Sequence, residues 1–487
     1  MTCALPRRPE VLPGGWDHRG MPPPADAAAP SSDGRASAGG RSRAGGPSGR
    51  APSREILALA VPAFFALIAE PLFLLLDTAM IGRVSTEALA GLGVASAALM
   101  TAVGLFVFLA YGTTAVVSRR LGAGNTRGAL AAGIDGVWLA LLLGGATAVV
   151  TAVWAPAIIG LFGASGAATS EGVTYLRISA LGIPPMLVTL AVTGVLRGLQ
   201  DTRSPLVAAV LGFGANAALN AWFIFGLGWG IAGAAWGTVI AQTGMAVGLL
   251  ALVWRHVRIH AAPTAFTPRG VLTAALGGVP LLIRTLSLRG VILLTTWLAA
   301  GFGDVSLAAH QVAMTLWGFL AFALDALAIA AQALTGKALG AGDTAGTRAA
   351  TRTMTRWGVW GGVVLGLLVV LGKDVLPPLF TDDPDVQRTL STALVLVGLA
   401  TPVAGIAYVL DGVLIGAGDA RWLAWAQTTV LVAYLPIVWA VHELPPTGID
   451  PATAMWWLWG AFAAFMVMRS ITLLWRARGT AWMVTGE

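Results

Sequence analysis

The chain has little charge and almost no cysteine. Only 11% of its 487 residues are Asp, Glu, Lys or Arg, where a soluble globular domain carries about 25%. With 56% apolar residues, it cannot cover itself with polar surface, so lipid is the expected solvent. Cys3 is the only cysteine. That excludes an intrachain disulfide and leaves no basis for a cysteine-based metal site or nucleophile. Tyrosine is scarce too, with four Tyr against nineteen Trp, and Trp is a residue of membrane interfaces. No Gly-x-Ser-x-Gly, His-Glu-x-x-His or Gly-x-x-x-x-Gly-Lys-Ser/Thr stretch is present. A hydrolase elbow, a zinc-protease helix and a phosphate-cradling loop are therefore not encoded. No metal or cofactor is expected, and work done across a membrane would have to draw on an ion gradient.

Residues 1–53 differ from the rest. They are rich in Pro, Gly, Ala and Ser and carry Arg7, Arg8, Arg19, Arg35, Arg41, Arg43 and Arg50. Such a composition cannot bury enough apolar surface to fold, so a disordered cytoplasmic tail is expected. The segment has no apolar h-region of a secretory signal. Glu10, Asp17, Asp26 and Asp33 speak against a transit peptide.

From Glu55 onward the chain alternates apolar runs with short turns. A span needs about 20 apolar residues. The runs are 56–80, 88–113, 129–153, 172–196, 205–226 and 231–254, then 271–299, 306–335, 348–371, 388–414, 421–441 and 453–475. In hydrocarbon every backbone group must be satisfied within its own segment, so these runs are helices. The predicted fold is all-α and integral to the membrane, with twelve transmembrane helices. The divisions are an N-terminal six-helix lobe at 54–254, a cytoplasmic linker at 255–270, a C-terminal six-helix lobe at 271–478 and a tail at 479–487.

Cations choose the orientation. Arg119, Arg120, Arg127, Arg197, Arg203, Arg255, Arg258 and Arg269 fall on one side, with Lys337, Arg348, Arg352, Arg356, Arg421, Arg476 and Arg478. The alternate loops hold Arg83, Arg177, Lys373 and Arg388. The positive-inside rule then predicts both termini in the cytoplasm of an inner-membrane protein. It also accounts for the net charge of +7 without nucleic acid.

The two halves repeat at a constant offset of 218 residues (280 − 62). Pro62 pairs with Pro280, Leu121–Gly124 with Leu339–Gly342, Leu161 and Phe162 with Leu379 and Phe380, and Pro184 with Pro402. Gly194, Gly198, Asp201 and Arg203 pair with Gly412, Gly416, Asp419 and Arg421. Each copy holds an even number of spans, so both enter the membrane in the same sense. Two bundles related by a pseudo-two-fold axis along the membrane normal follow, with substrate between them near the midplane. The matched residues read as scaffold: glycines for close approach, prolines for kinks, and aspartates bracing the next helix.

The ionisable residues inside the spans do not repeat. Asp77, Glu70, Arg284, Asp325 and Asp411 face Thr295, Leu288, Ala66, Val107 and Thr193. Such residues mark pathways and proton relays. Glu70 and Asp77 lie two turns apart on one face of the first helix. The only N-lobe base in view is Arg177, near a helix end. An acid so placed can exchange a proton or hold a small cation. Asn216 and Asn220 share a face of the fifth span, and Thr238 lies on the sixth; they offer neutral oxygens to Asp77, or simply bind helices together. In the second lobe Arg284 and Arg289 can pair with Asp325 and Asp411, as a charge network or a substrate-cavity lining. His310 reads as a helix-end histidine rather than a ligand, and Lys337 as a snorkelling cation.

The stretch Glu70-Pro71-Leu72-Phe73-Leu74-Leu75-Leu76-Asp77-Thr78-Ala79-Met80-Ile81-Gly82 resembles the first-helix signature of the multidrug and toxic compound extrusion (MATE) transporters. Leu121–Asn125 and Leu196–Thr202 fit the same family, and Leu324–Leu327 and Leu410–Gly416 are similar to its DNA-damage-inducible-protein-F branch. The resemblance covers about residues 55–478. It implies a V-shaped antiporter, sufficient as a monomer, that exports hydrophobic, often cationic compounds in exchange for H⁺ or Na⁺. It puts the family's first-helix carboxylate on Asp77 and its fifth-helix Asn on Asn216. Where the branch often has a second carboxylate this chain has Asn220, which leans the coupling toward H⁺. Competing expectations are a lipid-linked oligosaccharide flippase, a membrane-embedded transferase and a passive channel.

Overall fold

The computed structural model describes residues 51–161, 166–445 and 448–486, except for the side chains of residues 51, 52, 70, 73 and 74. The expected disordered tail, 1–53, falls almost wholly outside the described residues. The described chain is helical from end to end, with no strand. The first half contains α1 (Ala51–Ile81), α2 (Thr86–Leu105), α3 (Phe108–Gly122), α4 (Thr126–Gly160), α5 (Gly166–Ala180), α6 (Ile183–Gly198), α7 (Arg203–Ala221) and α8 (Gly230–Ile259). The second contains α9 (Pro268–Gly301), α10 (Asp304–Gly340), α11 (Thr344–Leu371), α12 (Pro384–Gly416), α13 (Ala420–Glu443) and α14 (Pro451–Arg478).

Each predicted span falls on one helix or one broken helix. Among the described residues, ten segments are long and apolar enough to cross a bilayer, and the pair α5 and α6, bent by 49°, makes an eleventh. α1, at 31 residues, spans about 46 Å and completes the twelve. Two breaks are not visible in hydropathy. One separates α2 from α3 at Phe106 and Val107, and the other separates α5 from α6 ahead of Pro184. α7 runs on into a π-helical turn, Trp222–Gly226. The starts are fixed by short polar side chains that accept free N–H groups of the first turn. Asn125 caps Gly128 at 2.8 Å, and its repeat partner Asp343 caps Gly346 at 2.7 Å.

The repeat is written into the backbone. Gly124 and Gly342 both hold a left-handed φ, +79° and +78°. Gln200 and Gly418 are also a repeat pair, at +69° and +77°. The Asp201 and Asp419 amides each close the same turn onto the carbonyls of Leu196 and Leu414. The two aspartate side chains diverge. Asp201 caps Arg203 and Ser204, while Asp419 pairs with Arg476 at 2.7 Å.

An even number of crossings brings the start of α1 and the end of α14 to one face, the terminal face. There the two bundles meet. A Cβ on Gly122 would strike the Lys337 carbonyl, and one on Gly340 would strike the Arg119 carbonyl. Both are single contacts seen twice, because 119 and 337, like 122 and 340, are repeat partners. Ser118 meets Gly336, and these too are 218 apart. The pseudo-two-fold axis therefore passes between α3 and α10 at this contact. Glycine lets the backbones approach where no side chain would fit. The terminal face is sealed further by polar contacts between bundles. Gln200 donates to the Ala333 carbonyl at 3.1 Å, and Gln332 donates to the Tyr111 carbonyl at 2.5 Å.

Two segments strap this face. Residues 260–267, between α8 and α9, lie against α4. Trp138 Nε1 donates to the Thr264 carbonyl at 3.2 Å, and Thr267 donates to Asp135 at 2.8 Å. After α14 the chain turns back around Trp482, which is 2% exposed. The Arg119 guanidinium then reaches across to the carbonyls of Ala417 (2.5 Å), Val484 (2.7 Å) and Gly486 (3.0 Å). The Gly486 amide donates to the Leu339 carbonyl at 3.2 Å.

Candidate functional site

Two polar clusters lie inside the spans, one in each bundle. In the first bundle α1, α7 and α8 bring Asp77, Asn216, Asn220 and Thr238 together. Asn216 and Asn220 are one turn apart on α7, and both are buried, at 6% and 0% exposure. Asn220 Nδ2 donates to Asp77 Oδ1 and to Asn216 Oδ1, each at 2.9 Å. In that orientation Asn216 donates to Thr238 at 3.0 Å; with its amide turned over it instead donates to both Asp77 oxygens at 3.2 Å and accepts from Thr238 at 3.0 Å, giving up the bond from Asn220. Thr238 otherwise donates to the Ala234 carbonyl of its own helix. Asn220 Oδ1 is buried with no hydrogen-bond partner among the described residues. No room remains for a side chain opposite it, since a Cβ on Gly237 would collide with that oxygen.

Among the described residues no base joins this cluster. Arg177 is exposed and makes no ion pair with Asp77 among the described residues. Glu70 belongs to α1, and its side chain lies outside the described residues. Tyr175 of α5, 6% exposed, sits close enough to feel the Asp77 charge. Sequence spacing gave no hint of it, because the contact joins helices far apart in the chain.

The second cluster is differently built. Asp411 on α12, 3% exposed, is held by two guanidinium groups. Arg284 Nε donates to Oδ1 at 3.0 Å, and its Nη2 contacts Oδ2. Arg469 of α14 donates to Oδ2 at 3.1 Å and lies over the Tyr408 ring, 5.4 Å from its centre. The expected partnership of Arg284 with Asp411 is present. Arg469 was not anticipated, although a lone Arg in the stretch Phe465-Met466-Val467-Met468-Arg469 is itself a signal by the reasoning applied to Asp77.

Asp325 and Arg289 do not pair with each other. Asp325 accepts a hydrogen bond from Tyr111 of the first bundle at 3.3 Å and lies in the field of Arg197, Arg284 and Arg469. In the sequence Arg197 stands only as a loop cation. Arg289 is exposed, with its guanidinium against Gly104 of α2. His310 is fully buried beside Trp459, its ring centre 5.7 Å away. Its Nε2 is 3.4 Å from Thr296, and its Nδ1 has no partner among the described residues. Lys337 is exposed, as a snorkelling cation would be. Among the described residues no three His, Cys, Asp or Glu side chains group as metal ligands.

Depth separates the clusters. Asp77 lies four residues before the end of α1, about 6 Å from the face opposite the termini. Asp411 lies five residues before the end of α12, about 7.5 Å from the terminal face. One site holds an acid among neutral amides near one mouth. The other is an ion network near the closed face, and it reaches across the bundles through Tyr111.

The MatE family model matches residues 62–222 and 280–439, one match in each bundle. DNA damage-inducible protein F of Escherichia coli is 30% identical over 430 residues, covering 86% of this chain and 91% of that protein. Protein DETOXIFICATION 44, chloroplastic, of Arabidopsis thaliana is 30% identical over 442 residues, covering 87% of this chain and 81% of that one. A Vibrio cholerae MATE transporter structure superposes with a TM-score of 0.79 at 22% identity, over 89% of this chain and 99% of that one. These relatives and neighbours are transporters, not enzymes, which removes the transferase expectation. Two copies of one model in register with two bundles, together with relatives aligned over most of their length, place this chain in the MatE family of multi-pass membrane transporters.

Proposed function

We propose that the chain is a secondary antiporter that exports small hydrophobic, often cationic compounds in exchange for H⁺, with Asp77 as the coupling acid. The observation that carries this reading is the pairing of Asp77 with Asn220 in a site that holds no base among the described residues. A carboxylate without a counter-cation is neutralised by whatever cation the medium supplies. The amide nitrogen of Asn220 points at the carboxylate and that of Asn216 can do the same, and a proton on Asp77 weakens both contacts. Na⁺ would need several oxygens converging on it instead. Asn220 Oδ1, buried and unpartnered among the described residues, is the observation that favours Na⁺ as the second reading.

In the proposed cycle, ionised Asp77 keeps the first bundle straight while the space between the bundles holds cargo. Protonation frees α7 from α1. α1 then repacks about its two internal prolines, Pro62 and Pro71, which interrupt its hydrogen-bond ladder and give it weak points, and cargo leaves. We take the terminal face as cytoplasmic by the positive-inside rule. We read the contacts there as closing the bundles toward the cytoplasm, which fits an outward-facing arrangement. We further take 54–254 and 271–478 as the lobes, 255–270 as the linker, and one chain as sufficient. A flippase for pyrophosphate-linked lipids would need free cations facing the cavity. Arg284 and Arg469 are both committed to Asp411, which leaves Arg289 as the one free cation of this group among the described residues and weighs against it.

The test is ethidium efflux from proteoliposomes under an imposed ΔpH or ΔNa⁺. Export should follow ΔpH. Asp77→Asn, which preserves shape and removes the titrating group, should reduce export at least about tenfold, about 1.4 kcal/mol of coupling. Undiminished export by that variant would reject the role given to Asp77, and export that follows only ΔNa⁺ would select the second reading.

A further inference from the structure

We infer that the groove between α11 and α14 at the terminal face is a binding site for an anionic phospholipid. The groove is a cavity of about 600 Å³ with Arg348, Arg352, Arg356 and Arg478 in its walls and Trp360 and Trp482 at its edges. All four arginines are exposed, and none makes an ion pair with a described residue. Four guanidinium groups with no carboxylate paired to them among the described residues form a field suited to an anion. Guanidinium forks match phosphate oxygens in pairs.

Position along the helix selects a lipid. Arg348, Arg352 and Arg356 stand about 6, 12 and 18 Å into α11 from Thr344. The apolar remainder, 357–371, covers about 22 Å, short of the roughly 30 Å of hydrocarbon. Arg356 therefore lies below ordinary headgroup depth. A phosphate drawn down to it satisfies the charge and closes the mismatch together. The same i, i+4 ridge continues through Trp360, Val364 and Leu368, all exposed, at 68%, 56% and 60%. Cations, then an indole, then aliphatic side chains along one ridge follow the order of a phospholipid from headgroup to acyl chain.

The internal repeat supplies a control. The counterparts of Arg348, Arg352 and Arg356 are Leu130, Ile134 and Trp138. Leu130 and Ile134 are buried. Trp138 is covered by the 260–267 segment through Thr264 and Phe266, the latter ring 5.7 Å away. Thr264 is in turn the counterpart of Trp482. The first bundle fills this groove with its own chain and apolar side chains. The second leaves it open and lines it with cations.

Native mass spectrometry of the full chain in neutral detergent tests the inference, with cardiolipin, phosphatidylcholine and inorganic phosphate as separate probes. Wild type should retain cardiolipin over phosphatidylcholine, with inorganic phosphate unable to displace it. Arg352→Gln with Arg356→Gln should weaken retention at least fivefold. Arg352→Lys with Arg356→Lys, which restores charge, should recover most of it and rules out a folding defect. Arg127→Gln with Arg255→Gln removes two exposed cations from the same face elsewhere and should change nothing. Equal retention by the glutamine pair, equal loss in the control pair, or displacement by inorganic phosphate would each overturn it.

Discussion

Asp77 and Asp411 are both carboxylates inside the membrane, and their neighbours give them opposite properties. Asp77 meets the amides of Asn220 and Asn216; Asp411 meets two arginines. Replacing Asp411 by Asn leaves Arg284 and Arg469 buried without the carboxylate they bond to, and only Asp325 remains in their field. Removing one partner of a buried ion network costs about 3–5 kcal/mol. Asp411→Asn should therefore lower the thermal midpoint in detergent strongly, while the isosteric Asp77→Asn leaves it nearly unchanged. Similar midpoints for the two variants would contradict this division. The first cluster was legible because helical spacing placed Asn216 and Asn220 on one face and Asp77 in a lobe poor in bases. Tyr111 and Tyr175 were not, since their contacts join helices distant in sequence and local periodicity carries no such information.

At the scale of the helix, close packing in lipid depends on missing side chains. α11 and α12 touch backbone to backbone: a Cβ on Gly358 would meet the Gly405 carbonyl, and one on Gly405 the Gly358 carbonyl. Gly405→Val should destabilise by about 1–3 kcal/mol, the usual penalty of overpacking. Gly361→Val, on the same α11 where nothing lies within 4 Å of the new carbon, should be tolerated; both are read by thermal shift. Equal effects at the two positions would sink the packing argument. Span positions were readable because hydropathy over about 20 residues is a strong signal. The breaks at Phe106 and at Leu181 were not, because averaging over a window passes smoothly through a break whose residues are themselves apolar.

For the whole molecule, the repeat of 218 residues predicted two bundles in parallel, and the paired left-handed turns at Gly124 and Gly342 carry it into three dimensions. The repeat could not predict where symmetry ends. Arg119 strikes across to Ala417, Val484 and Gly486, whereas its counterpart Lys337 is exposed. Arg119→Gln removes the charge from these bonds, each worth about 1.5–3 kcal/mol when the donor is ionised. Hydrogen exchange at the Gly486 amide should then accelerate at least tenfold. Unchanged exchange would mean that the strap is held by Trp482 alone.

Ser118 and Gly336 stand for one another in the two copies and also touch. Two points exchanged by a dyad stay together only while that face is shut, and any movement that admits cargo from this side must draw them apart like the halves of a clasp. A cysteine cross-link from 118 to 336, in a chain whose native Cys3 is replaced by Ser, should therefore halt export, and reducing the link should restore it. Export that persists through the link would show that this clasp never opens.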